Sequence, residues 1–274
     1  MQTREIIRTA IDDKLYLRRT PERTDYKELI TTDTIFIENG KPIILYKILP
    51  KTYLDKLRYL VFKSKFIKTH RTNGTPSQSA VFGALPRIPH RHNYCRYSAN
   101  TKNQKELNSD IFYFARLINS IYRDLLPDQH EINLSIVEES VEAEYVIKGT
   151  PFTTVNLNIN HAIKYHRDTG NFKNVFSNVL ILKDGVAGGF LVCPEFEIAF
   201  GQQDGALILF DGQNIIHGVT PIKMKHDKAY RCSCVFYALA DMKNCYPYKL
   251  ELERVKKWRD TVESRFRPDP KAFK

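Results

Sequence analysis

The chain has 274 residues, 42% of them hydrophobic, and a net charge of +11. That is enough apolar material for one sizeable core, while no run of about 18 apolar residues is present to make a membrane helix. The N-terminal residues Met1-Gln2-Thr3-Arg4-Glu5 hold no apolar signal core, and the basic balance fits either a polyanion partner or a lysine-rich surface.

The elements follow in chain order. Ile35-Phe36-Ile37 reads as a strand that runs through Glu38 into the hairpin signal Asn39-Gly40 and a second strand, Pro42 to Tyr46. Residues 52–67 have helical spacing, with Leu54, Leu57, Leu60 and Val61 on one face. A longer helix is predicted over 106–126, carrying Phe112, Leu117, Ile121 and Leu125, with Pro127 as its stop. From about residue 150 the texture changes to short strands. Residues 152–160 alternate, with Val155, Leu157 and Ile159 on one face and Asn156, Asn158 and Asn160 on the other. Strands at 178–182, 189–192, 196–200, 206–210 and 231–239 follow, separated by turns at Asp184-Gly185, Gly188-Gly189, Asp204-Gly205 and Asp211-Gly212. This pattern predicts an α+β protein with a jelly-roll or barrel core and helices from the N-terminal part. An amphipathic helix over 249–265 carries the single tryptophan, Trp258.

Five cysteines without regular spacing argue against a disulfide framework and for a reducing, intracellular compartment. Cys232 and Cys234 read as packed thiols on a strand rather than metal ligands.

The chemistry-bearing pattern is His166-Arg167-Asp168, answered downstream by His217 and Arg231. Two histidines and a carboxylate that converge form the facial ligand set of a non-haem iron(II) oxygenase. An arginine beyond the second histidine can grip a carboxylate with two hydrogen bonds, as 2-oxoglutarate would require. An H-x-D triplet alone is a weak signal. Here it follows a strand, His217 follows another strand and its turn, and Arg231 opens the last strand, where Ser233, Val235, Tyr237 and Leu239 share its face. Each residue has a plain structural alternative: a turn-capping His217, an Asx-type turn at Asp168 with Thr169-Gly170, and a surface ion pair for Arg231.

The segment 150–240 resembles the TET/JBP family of iron(II)- and 2-oxoglutarate-dependent DNA dioxygenases, in the form of a compact phage- or fungal-type member. Pro151-Phe152, the asparagine-rich strand and His166-Arg-Asp-Thr-Gly-Asn171 carry the first metal motif. Gly188-Gly-Phe-Leu-Val-Cys-Pro-Glu195 is similar to the family's mid-barrel turn. His217-Gly-Val-Thr-Pro-Ile-Lys223 and Arg231-Cys-Ser-Cys-Val-Phe-Tyr237 are similar to the second metal ligand and the 2-oxoglutarate strand. Upstream, Phe82 to Arg96 is similar to a segment of the compact members.

The resemblance implies a double-stranded β-helix (jelly-roll, cupin-like) with N-terminal helices packed on the barrel. It implies His166, Asp168 and His217 as iron ligands, Arg231 as the 2-oxoglutarate anchor supported by Ser233, and Asn171 and Tyr237 at the target base. Leu239 stands where the animal enzymes have a base-contacting histidine, and their cysteine-rich zinc region is absent. The cofactors expected are Fe(II) and 2-oxoglutarate with O2 as co-substrate. The expected partner is double-stranded DNA with the base flipped, bound by a monomer with no membrane role.

Two basic stretches are candidates for DNA contact: Lys68 and Arg71 before Thr72-Asn73-Gly74-Thr75, and Arg87, Arg91, Tyr94 and Arg96 around His90 and His92. The alternatives are a solvated helix end for the first and arginines paired with core acids for the second. Arg254-Val-Lys-Lys257 reads as helix surface, not a nuclear signal. One domain is expected over 1–274: a mixed N-terminal part at 1–148 with DNA-contacting loops, a catalytic core at 149–242, and a C-terminal helix and tail at 243–274. The compartment would be the nucleus in a eukaryote or the host cytoplasm for a phage protein. The leading activity is oxidation of 5-methylcytosine to 5-hydroxymethylcytosine. Alternatives are thymine hydroxylation to 5-hydroxymethyluracil, an oxygenase of a protein or small molecule, and a catalytically dead DNA-binding relative.

Overall fold

A computed structural model describes residues 1–70, 76–88 and 93–266. In chain order its strands are β1 (Gln2–Glu5), β2 (Glu28–Ile30), β3 (Thr34–Glu38), β4 (Lys41–Ile48), β5 (Ile67–His70), β6 (Pro76–Leu85), β7 (Arg96–Tyr97) and β8 (Thr154–Ile159). They continue as β9 (Ser177–Asp184), β10 (Val186–Gly188), β11 (Leu191–Cys193), β12 (Ile198–Phe200), β13 (Ala206–Phe210), β14 (Gly218–Val219), β15 (Ile222–Met224) and β16 (Tyr230–Tyr237). The helices are α1 (Asp13–Tyr16), α2 (Leu54–Lys63), α3 (Ala99–Asn103), α4 (Lys105–Leu125), α5 (Pro127–Ser140) and α6 (Tyr248–Phe266).

Of the two sheets that form the sandwich, the larger has the order β1-β3-β4-β13-β9-β16-β8-β6-β5 with β7 paired to β6, and the smaller β14-β11-β12-β2; β10 and β15 form a separate pair. Ile44, Tyr46, Ile181, Ile208 and Phe210 from the larger sheet meet Leu191, Ile198, Phe200 and Val219 from the smaller, with Phe196 from the turn between β11 and β12. This sandwich is the jelly-roll core expected from the alternating strands. On its other face the larger sheet offers Leu157, Leu180, Leu209, Cys232, Cys234 and Phe236 to Leu57, Leu60, Ile111, Phe114 and Ile118 of α2 and α4. The four predicted α2 residues, Leu54, Leu57, Leu60 and Val61, are all buried. Cys232 and Cys234 are buried free thiols, as expected of packing residues.

The sheet does not stop at residue 149: β1, β3, β4, β5 and β6 of the N-terminal part extend it at both edges. The helix expected over 52–67 ends at Lys63, where Ser64 turns extended and its hydroxyl donates to the Leu60 carbonyl at 2.8 Å. Pro127 does more than stop α4. It is the first residue of α5, a position that needs no backbone donor. The inward face of α5 includes His130 and Asn133 beside Val137, so its apolar period is weak. Asn133 accepts from the Tyr122 hydroxyl at 2.6 Å and from the Phe176 amide at 2.8 Å, and His130 pairs with Asn119 at 2.8 Å. Asn160 leaves its strand in a left-handed turn at φ 51°.

The cysteines depart from expectation at one place. Cys95 and Cys245 form a disulfide with a Cα–Cα distance of 5.7 Å, joining the end of the 87–95 segment to the residues before α6. Close approach in the fold makes this pair, which spacing along the chain does not reveal. Among the described residues no helix is long and apolar enough to cross a membrane.

Candidate active site

The loop between β8 and β9 carries His166, Asp168 and Asn171, and backbone hydrogen bonds fasten it on two sides. His166 and His217 exchange amide-to-carbonyl bonds of 2.9 and 3.0 Å, and the Asp168 amide donates to the Gly212 carbonyl at 2.8 Å. On the other side the Ala240 amide donates to Gly170 at 2.9 Å, and Asn171 bridges to Leu239. Residues far apart in sequence are thereby held in one mouth of the sandwich.

The side chains converge there. His166 Nε2 lies 3.3 Å from Asp168 Oδ1, and His217 Nε2 lies 3.8 Å from Asp168 Oδ2. One ligand atom from each of the three falls within 4.8 Å of the other two. The Nδ1 atoms of His166 and His217 sit 2.9 Å from the carbonyls of Lys164 and Ile215. A carbonyl only accepts, so each Nδ1 is the donor and Nε2 is the nitrogen turned to the cluster, able to bind a metal through its lone pair in the neutral ring. Burial, helped by the neighbouring His166, pulls the His217 imidazole down to about 4, so it is neutral at pH 7. Neutral imidazoles and a carboxylate fit a ferrous ion.

Gly212 makes room for this cluster, because a Cβ there would lie 2.3 Å from Asp168 Oδ2. Behind the cluster, Glu195 is only 4% exposed. It accepts from Arg167 Nη2 at 2.8 Å and from the Ile216 amide at 3.0 Å. It therefore ties the residue between His166 and Asp168 to the residue before His217. Arg167 also reaches Asp13 at 3.2 Å. Sequence reasoning singled out neither Gly212 nor Glu195 for a role, although Glu195 closes the mid-barrel motif.

A cavity of about 350 Å³ runs from the triad along the inner face of β16. Arg231, Ser233, Val235 and Tyr237 line it together with Leu239 and Asn171, as the two-residue period of the strand requires. Register places Ser233 opposite Asn158, Val235 opposite Asn156, and Tyr237 opposite Thr154. Arg231 is 2% exposed. Its Nη2 donates to Gln202 Oε1, and its Nε has no partner. Burial pulls the guanidinium down to about 10, leaving it charged at neutral pH. Such a buried cation without a counter-ion calls for an anionic ligand. Gly189, at φ 73°, passes close to it, where a Cβ would lie 3.0 Å from Arg231 Cδ. The donor set thus fits the far carboxylate of a 2-oxo diacid.

The described basic candidates differ in their surroundings. Arg87 forms an ion pair with the buried Glu251 and stacks on Tyr246, with its guanidinium carbon 4.9 Å from the ring centre. Arg96 is half-buried and donates to the Pro86 carbonyl at 2.9 Å. Burial lowers its pKa. Tyr94 is half-buried and Lys68 is exposed. Arg71 and Arg91 lie outside the described residues.

A jelly roll with a His-Asp-His cluster and a buried arginine defines the class of iron(II)- and 2-oxoglutarate-dependent oxygenases. Residues 87–240 match the Tet_JBP model, the oxygenase domain of the 2OGFeDO superfamily, and the chain belongs to this family. Its cofactors are Fe(II) and 2-oxoglutarate. Thymine dioxygenase JBP1 of Trypanosoma brucei brucei is 27% identical over 172 residues, which is 61% of this chain and 20% of that protein. The bifunctional helicase and thymine dioxygenase JBP2 of Trypanosoma brucei brucei (strain 927/4 GUTat10.1) is 26% identical over 149 residues, 54% of this chain and 13% of that protein. The matches span a fifth or less of these relatives. The solved structure of NgTET1 in complex with 5mC DNA superposes with a TM-score of 0.62 at 15% identity, covering 85% of this chain and 87% of that one. That likeness is one of fold.

Proposed function

We propose that this chain is a DNA 5-methylpyrimidine dioxygenase whose first substrate is 5-methylcytosine, converted to 5-hydroxymethylcytosine. The observation that carries the reading is the single cavity. It joins the His166–Asp168–His217 cluster, the buried cation Arg231 and a wall made by Asn171, Tyr237 and Leu239. His166 and His217, through Nε2, and Asp168 would hold Fe(II), and Arg231 with Ser233 would hold 2-oxoglutarate. With O2, that pair supplies the oxidising power to hydroxylate an unactivated methyl group, releasing succinate and CO2.

The chain's own residues position and exclude. The Nδ1–carbonyl hydrogen bonds of His166 and His217 turn both Nε2 atoms toward the cluster. Asp168 is kept in place by the hydrogen bond from its backbone amide to the Gly212 carbonyl. Tyr237 and Leu239 form the wall against which a pyrimidine would pack. A base inside a duplex is out of reach of this cavity, so the proposed substrate is duplex DNA from which the target nucleotide is flipped, bound by a monomer.

The Asn171 amide bears on base identity. Its Nδ2 donates to Ser177 Oγ at 3.0 Å and points to Asp168 Oδ2 at 3.4 Å. The reverse orientation would set oxygen against a carboxylate, so Oδ1 remains as its acceptor. Asn156 adds a buried Oδ1 without a partner on the same cavity. Acceptors favour the exocyclic amino group of 5-methylcytosine over the carbonyl at the 4-position of thymine. Thymine is the second reading, supported by the activity named for the trypanosome relatives.

The test is anaerobic loading with Fe(II) and 2-oxoglutarate, then O2 with 5-methylcytosine duplex DNA or unmodified DNA, followed by nucleoside mass spectrometry. A 5-hydroxymethylcytosine peak lost in His166→Ala supports the first reading. A 5-hydroxymethyluracil peak from unmodified DNA moves the enzyme to thymine. Succinate without either product removes DNA methyl groups from the proposal.

A further inference from the structure

Gln202 follows β12 and is 1% exposed. Its position is fixed by its neighbour: the Gly201 amide donates to the Ile30 carbonyl at 2.7 Å, and the Gly201 carbonyl accepts from the buried Tyr46 hydroxyl at 2.5 Å. Gln202 lines the same cavity as Arg231 and Ser233. Its Oε1 accepts from Arg231 Nη2. An arginine only donates, so the amide cannot be reversed, and Nε2 is left as a donor. That Nε2 is buried and without a partner, as is Arg231 Nε. Two unsatisfied donors therefore sit on one buried, hydrogen-bonded pair. Among the described residues Arg231 forms no ion pair with a carboxylate.

Leaving two buried donors without partners is costly, more so for the charged one. An acid in place of Gln202 would satisfy the arginine internally. A neutral amide does the opposite: it orients the guanidinium through its oxygen, leaves the positive charge available, and adds a donor of its own.

We infer that Gln202 is a second anchor for the distal carboxylate of 2-oxoglutarate, acting with Arg231 to select a 2-oxo diacid over a 2-oxo monoacid. The inference rests on the reading of Arg231 as the 2-oxoglutarate anchor. One carboxylate oxygen takes Arg231 Nε–H and the other takes the Gln202 amide N–H. Pyruvate has the 2-oxo acid end but nothing to place between these donors.

The test measures binding rather than turnover. Protein loaded with Fe(II) is titrated without O2, first with 2-oxoglutarate and then with pyruvate, by calorimetry and by the visible metal-to-ligand charge-transfer band. The wild type, Gln202→Leu and Gln202→Glu are compared, with thermal unfolding of each metal-free protein as the check on folding. Gln202→Leu is expected to weaken 2-oxoglutarate about ten- to a hundredfold, the range for a hydrogen bond to a charged group. Gln202→Glu keeps the shape, pairs internally with Arg231, and is expected to weaken it more than the leucine does while unfolding no earlier than the wild type. Neither change should move the weak binding of pyruvate. A folded Gln202→Glu protein that binds 2-oxoglutarate as tightly as the wild type overturns the inference. Wild-type protein that holds Fe(II) yet binds 2-oxoglutarate no better than pyruvate overturns the underlying reading of Arg231 instead.

Discussion

Two arginines, Arg87 and Arg231, stood out in the sequence as candidates for binding anions, and the fold treats them in opposite ways. Arg87 is given a buried acid: Glu251 receives it together with the amides of Tyr246, at 2.9 Å, and Cys95, at 3.2 Å. Arg231 is given a neutral amide and keeps an unpartnered Nε inside a cavity. A positive charge is a binding device only where the protein withholds its counter-ion. Position along the chain does not reveal which arginine is which, because Glu251 lies 164 residues from Arg87.

The largest effects should come from the cavity side. His166→Ala removes a ligand, and Gly212→Ala pushes a Cβ into Asp168. Both are expected to abolish stoichiometric Fe(II) binding and product formation while leaving thermal unfolding of the metal-free protein within a few degrees of wild type. Metal analysis after anaerobic loading checks this. If Gly212→Ala retained full iron occupancy, Asp168 would not be confined as described.

Arg87 should behave as a structural residue. Arg87→Met leaves the buried Glu251 with only the exposed Arg254, 3.1 Å away, as its cation, so the loss should fall near the lower end of the about 3–5 kcal/mol that breaking a buried pair costs. Denaturant unfolding should show a loss of that order. Duplex affinity, measured on the fraction that remains folded, should be little changed. A large fall in affinity with intact stability would return Arg87 to the DNA surface.

The same pair has a pH signature. Burial alone would raise the Glu251 carboxyl, but Arg87 and the two amides outweigh it and hold the group below its ordinary 4.5. The folded state therefore binds fewer protons here than the unfolded chain. Its contribution to stability is complete above about 4.5 and is lost as pH falls through the lowered value. Glu251→Gln should flatten the acid limb of a stability–pH curve measured on the folded variant.

Much of this was legible in the sequence, and the exceptions have physical causes. Strand alternation placed Arg231, Ser233 and Tyr237 on one face because a strand has a fixed period of two. The His-x-Asp and distal histidine pattern was readable because metal ligation restricts residue type. Helix α5 was missed because it buries His130, paired with Asn119, and Asn133, paired with Tyr122 and Phe176, and these polar residues erase the apolar stripe. Gln202, Glu195 and Gly212 were not singled out because their roles depend on what approaches them from elsewhere. An amide, an acid and a glycine in loops carry no pattern of their own.

Glu195→Gln sharpens the comparison at a smaller scale. It weakens the tie between Arg167 and the Ile216 amide without touching a ligand atom. Partners behind metal ligands typically alter affinity about ten- to a hundredfold. Because Arg167 keeps Asp13, the lower end is expected, read as Fe(II) affinity by competition with a chelator.

The smallest effect belongs to an arginine's counterpart in solvent. Lys68 is exposed on β5, the last strand of the larger sheet, and forms no ion pair among the described residues. A lysine that neutralises one phosphate contributes roughly one unit to the slope of log affinity against log salt. Lys68→Ala should therefore lower duplex affinity a few-fold, equally for methylated and unmodified DNA, and reduce that slope by about one. An unchanged slope would mean that Lys68 is only a solvated surface charge. The phosphate-binding work of this chain would then have to lie on other basic residues. Arg87, with its charge already answered by Glu251, would remain excluded by the same logic that makes Arg231 a binding residue.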